Sequence, residues 1–142
     1  MDQQKVIPLL QKTPIFAKTS VSSLKTMLKS AIEKTVPAGD KLVEKGETGA
    51  GFYLILDGRA EVVSDGEKLA EFGPGDFFGE LAVIDGAPRT ADVVALTDAT
   101  CIVVSQWAMR SIISSHSEIA LSMLEELARR LRATDEARSS CD

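Results

Sequence analysis

The apolar positions of this chain change their period twice. In TSVSSLKTMLKSAIEK, Val21, Leu24, Met27, Leu28 and Ile32 recur at spacings of three and four, which predicts a helix with Thr19 or Ser20 as its N-cap. From about residue 36 to about 104 the apolar runs become short and β-branched. Turn signals interrupt them at PAGD, EKGE, DGR, DGE and GPGD. Past residue 105 the helical period returns.

In the middle segment, FYLIL and AEVV flank Asp57-Gly58, and VVS and EKLAEF flank Asp65-Gly66. Asp-Gly predicts a tight hairpin at each place, because glycine accepts the positive φ that such a turn demands. TADVVAL and TCIVVS supply further strands. All ten glycines lie between Gly39 and Gly86, so the strand region is sharply bounded. The expected fold is α+β and mainly β: about eight short antiparallel strands closing into a barrel or jelly roll, with an N-terminal helix and a long C-terminal helix.

That C-terminal helix is predicted from about Ser117 to Ala137. Ala120, Leu124, Leu127, Leu131 and Thr134 alternate spacings of four and three, the pattern of a heptad seam. Ile119 and Met123 form a neighbouring stripe suited to packing on the barrel. Two readings of the seam stand side by side: a terminal helix docked on its own domain, or a homodimer contact through Leu124, Leu127 and Leu131. The whole chain reads as one domain, with an N-terminal helical segment over about 9–35, the barrel over 36–104, C-terminal helices over 105–137 and a tail over 138–142.

Composition narrows the function classes. A chain of 142 residues with a formal charge of -5 has no broad basic face for nucleic acid. No apolar run approaches a membrane span and no signal-peptide pattern opens the chain, so the expected location is the cytoplasm. Cys101, in the apolar run TCIVVS, reads as a buried thiol, and Cys141 lies in the tail. With one histidine, His116, outside the strands, neither a His/Cys metal site nor a metal-dependent barrel enzyme is supported. There is no GxSxG elbow, and GPGDFFGE fits neither GxGxxG nor GxxxxGK. Neither an enzyme nor a resident cofactor is expected.

GELAVIDGAPRTAD, residues 79–92, is where the chemistry gathers. A short helix starting at Gly79 would expose unpaired N–H groups, a seat for an anion. Gly86-Ala87-Pro88 then turns the chain and brings Arg89 back toward that seat, with Thr90 offering a hydroxyl and a backbone N–H. One guanidinium, several N–H donors and a hydroxyl suit a single compact phosphate. Glu80 repels an anion but accepts from a sugar hydroxyl. From the residues alone, Glu80 and Arg89 read equally well as a structural salt bridge.

GELAVIDGAPRTA resembles the phosphate-binding cassette of cyclic nucleotide-binding domains. PAGD at 37–40, FYLILDG at 52–58 and GPGDFFGE at 73–80 match the same family, over about residues 9–136. The resemblance implies an eight-stranded jelly roll with flanking helices and a non-catalytic sensor for cAMP, less readily cGMP. It implies that Arg89, Thr90 and the Ala91 amide hold the phosphate, and that Gly79, Glu80 and Leu81 line the ribose side. It places the base against Leu69 and Ala60. In the catabolite-activator branch a threonine of the long helix also touches the base, and ARRLRATDE puts Thr134 there. Ligand binding would then move the C-terminal helix.

The sequence departs from the family in two places. RTAD brings Asp92 onto the Thr90 side of a regular strand, where its repulsion of a phosphate ~6 Å away is under about 1 kcal/mol in water. The chain ends at Asp142, where catabolite-activator-like regulators continue into a helix-turn-helix. The expectation is either a stand-alone sensor module or an isolated regulatory domain, in both cases without that route to DNA. The competing reading is a scaffold that keeps the barrel, has lost the nucleotide and binds protein.

Overall fold

The structure, a computed structural model, describes residues 2–47, 51–79 and 89–141, with side chains as far as Ala133. Two helices open the chain, α1 (Gln3–Gln11) and α2 (Val21–Leu28). Among the described residues eight strands follow: β1 (Ala31–Val36), β2 (Lys41–Val43), β3 (Gly51–Asp57), β4 (Ala60–Ser64), β5 (Glu67–Phe72), β6 (Phe77–Phe78), β7 (Asp92–Ala95) and β8 (Ala99–Ser105). The chain closes with α3 (Gln106–Ser115) and α4 (Ser117–Cys141). The strands form two four-stranded antiparallel sheets, β1-β8-β3-β6 and β2-β7-β4-β5, the arrangement of a jelly roll.

Period-two alternation in β3 and β8 builds two cores. Phe52, Leu54, Ile102 and Val104 face outward and pack against Val6, Leu10, Phe16, Leu24, Met109, Ile119 and Met123 of the helical layer. Ile55, Cys101 and, at the margin, Tyr53 and Val103 face inward, against Ala60, Val93 and Ala95 of the second sheet. FYLIL is apolar throughout because both faces of β3 are covered.

Local expectations hold in part. Ser20 caps α2, its Oγ accepting from Ser23 N at 3.2 Å. The helix stops at Leu28, however, and Ile32 belongs to β1, opposite Val103 and 63% exposed. Six residues of AIEKTV pair with β8, and that ladder outweighs the helical spacing of Ile32. An earlier helix, α1, begins at Gln3 under an Asp2 cap.

The two Asp-Gly pairs part company. Asp65-Gly66 joins β4 to β5 with Ser64 opposite Glu67, and φ is positive at both residues (53° and 79°), so it is the expected two-residue hairpin. Asp57-Gly58 is not a hairpin turn. β3 pairs with β6 and β8, whereas β4 lies in the other sheet, so the chain turns a corner between sheets. Gly58 has φ 85°, and an added Cβ would come 2.3 Å from Asp98 O.

Candidate functional site

β6 pairs Tyr53 with Phe78 and delivers the chain to Gly79. There φ is 93°, a left-handed conformation that suits glycine. A Cβ at Gly79 would lie 2.2 Å from Gly51 O and 2.9 Å from Arg89 Nη1. The missing side chain is what lets the guanidinium lie against this backbone.

Arg89 is held at both ends. Its backbone N–H donates to Glu47 O at 3.0 Å, and its carbonyl accepts from Gly46 N at 2.9 Å. Its Nη2 donates to Gly51 O at 2.8 Å. The guanidinium carbon stands 5.6 Å from the centre of the Tyr53 ring. Among the described residues, one carbonyl thus occupies one edge of the guanidinium fork, and the remaining donors suit a planar or tetrahedral anion.

The strand after Arg89 is stitched to the same loop. Asp92 Oδ1 accepts from Lys45 N at 2.6 Å, and Oδ2 lies 3.3 Å from Lys41 Nζ. These contacts, the Lys45 N–H above all, hold the Asp92 carboxyl below the usual range. Its charge is therefore taken up by the β2 side of the molecule, a role that alternation along RTAD did not reveal. Tyr53 supplies another unforeseen element. Burial pushes its phenol pKa up, with Arg89 opposing, so the ring stays neutral. It stacks on Phe78 at 4.8 Å, and Phe78 on Phe72 at 5.3 Å. The signal was present as the one tyrosine in the aliphatic run FYLIL, at an inward position.

Of the residues singled out in the sequence, Gly79 and Arg89 meet. Thr90 is exposed and Ala91 half-buried just beyond them. Glu80 and Leu81 lie outside the described residues, and with them the question of a Glu80–Arg89 salt bridge. Ala60 is fully buried between the sheets. Leu69 is exposed in the β4–β5 hairpin, skipped where the register jumps from Val62↔Ala70 to Val63↔Lys68. Thr134 falls within α4, but its side chain is outside the described set. Ile119 and Met123 are buried on the first sheet's helical layer, whereas Leu124 and Leu131 are 63% and 64% exposed and Leu127 is half-buried. Among the described residues no three His, Cys, Asp or Glu side chains converge as for a metal, and no helix is long and apolar enough to cross a membrane.

The family model for the cyclic nucleotide-binding domain matches residues 33–116. The chain is similar to the CRP-like cAMP-activated global transcriptional regulator of Mycobacterium tuberculosis, at 32% identity over 132 residues, covering 89% of this chain and 59% of that protein. It therefore spans about three-fifths of that relative's length. Among solved structures it is similar to the catabolite activator protein of Thermus thermophilus, with TM-score 0.80 and 26% identity over 89% of this chain and 62% of that one. It is also similar to the regulatory domain of Toxoplasma gondii PKA, solved with cAMP, with TM-score 0.71 and 26% identity over 78% of this chain and 44% of that one.

Proposed function

This chain belongs to the cyclic nucleotide-binding domain family, and from that premise we propose that it is a cAMP sensor which passes ligand binding to its C-terminal helix. The observation that carries the reading is the guanidinium of Arg89, held by Gly51 O and lying against the side-chain-free Gly79. Arg89 binds the cyclic phosphate through its open fork, with Thr90 Oγ1 and the Ala91 N–H completing the cradle. Gly79, Glu80 and Leu81 form the ribose side, where a carboxylate accepts from the 2′-hydroxyl. The base extends toward Leu69 and Ala60, and Thr134 of α4 reaches it from the helix.

The binding arithmetic is modest. A micromolar site corresponds to about -8 kcal/mol, and charge-assisted hydrogen bonds of the Arg89–phosphate kind supply roughly 1.5–3 kcal/mol each. The ligand moves α4 only by as much as it prefers one placement of the helix over another. A second copy of the chain packs along the exposed Leu124–Leu131 stripe of α4.

Calorimetry with cAMP and cGMP, on the wild type and on Arg89→Ala, tests the proposal. Wild-type protein should release heat with cAMP and bind cGMP more weakly, and Arg89→Ala should lose at least about 100-fold in affinity, the lower end expected for two charged hydrogen bonds. Silence of the wild type toward both nucleotides would sink the sensor reading. Equal affinity of the variant would remove Arg89 from the site.

A further inference from the structure

Arginine is a flexible anion ligand, and its usefulness depends on how much of its freedom is spent before the ligand arrives. In this protein three features restrict Arg89. Its backbone is tied to Gly46 and Glu47, one nitrogen is tied to Gly51 O, and the guanidinium carbon lies over the Tyr53 ring. The first two are backbone devices that any side chain at position 53 would leave in place. The third belongs to Tyr53.

The Tyr53 ring is itself fixed. It projects from β3 toward the second sheet, and Phe78 stacks on it with 12° between the planes. Phe72 stacks on Phe78 in turn, at 3°. The three rings form one stacked column, and the guanidinium lies over the Tyr53 ring of that column. Such a ring presents a negative face to a cation without carrying a charge. A carboxylate in the same place would pair with Arg89 and compete with a phosphate. A neutral ring orients the cation and leaves its charge for the ligand. Because burial keeps the phenol protonated, that property extends over the whole range in which Arg89 would bind an anion.

We propose that Tyr53 is a positioning residue for the anion site: its ring, braced by Phe78 and Phe72, holds the Arg89 guanidinium flat so that the open fork faces the ligand phosphate. The inference rests on the cyclic-nucleotide reading and deepens it. It assigns the work to the ring rather than the hydroxyl, and it makes the contribution of Tyr53 conditional on Arg89. A residue that only filled the core would show neither property.

The test is a double-mutant cycle in cAMP affinity, measured by calorimetry on the full chain, with thermal unfolding alongside. Tyr53→Phe keeps the ring and should bind within about twofold of wild type. Tyr53→Met fills a similar volume without the ring and should lose about tenfold, the scale of a partly buried cation–π contact. Combined with Arg89→Ala, Tyr53→Met should cost little more than Arg89→Ala alone. Wild-type affinity in Tyr53→Met, or losses that add in the double variant, would overturn the positioning role while leaving the sensor intact. A tenfold loss in Tyr53→Phe would overturn it too, whatever the folding of the other variants. A wild type that binds no nucleotide would remove the sensor reading and this inference together.

Discussion

The two carboxylate oxygens of Asp92 have separate jobs, one accepting the Lys45 N–H and the other facing Lys41. Read from the sequence, Asp92 was an unwelcome charge beside a phosphate. In the structure it belongs to the stitching that fixes the 44–47 loop, and that loop in turn holds the backbone of Arg89. Its carboxyl titrates below the ordinary value in the folded chain, so its contribution is fully present above about pH 4 and is lost as pH falls through the lowered value. Asp92→Asn should therefore melt a few degrees lower at pH 7, and the gap to wild type should close as the pH drops below about 4. Melting curves across that range check both statements, and a gap independent of pH would contradict the ionic account. Arg89 and Gly79 were legible because their chemistry depends on residue type: a cation, and a position that tolerates no side chain. Tyr53 and Asp92 were hidden because their roles depend on which face of which strand meets the loop.

At the scale of elements, identical dipeptides show what short-range reasoning misses. Asp65-Gly66 and Asp57-Gly58 carry the same signal, yet only the first closes a hairpin. The difference lies in Asp98 and Ala99, far along the chain, which crowd the Gly58 corner and leave Gly66 open. Gly66→Ala should cost about 1 kcal/mol, from the left-handed backbone alone. Gly58→Ala should cost more than about 3 kcal/mol, because backbone strain and a collision with main-chain atoms add. Urea unfolding of the two variants separates them, and equal midpoints would contradict the corner assignment. The strand region, the two terminal helical regions and the Ser20 cap were all visible as changes of period. The end of α2 was not, since Ile32 fits a helical spacing as well as the strand it joins. What decides is the hydrogen-bonding edge offered by β8, which local sequence does not contain.

For the whole molecule, the two faces of α4 tell different stories. Ile119 and Met123 are spent on the domain's own core, while Leu121, Leu124 and Leu131 stand in solvent. Such a stripe on one helix is the kind of surface a second copy covers. Wild-type protein should sediment as a dimer. Leu124→Glu should raise the dimer dissociation constant at least about tenfold and leave the melting of the monomer nearly unchanged, since an exposed leucine contributes little to its own fold. Identical monomeric profiles for both proteins would remove the dimer.

β6 has only Phe77 and Phe78, and they look in opposite directions. Phe78 leans on Tyr53 inside the roll, whereas Phe77 stacks on Phe52 at 5.6 Å and lies under the guanidinium of Arg130, 5.7 Å away on α4. Arg130 is also tethered to the buried Glu126 at 3.2 Å. Two neighbouring rings on one short strand therefore belong to different cores, Phe78 to the one between the sheets and Phe77 to the one beneath the helices. At this strand the span from the Tyr53 ring inside the roll to the Arg130 guanidinium on α4 is bridged by two consecutive residues.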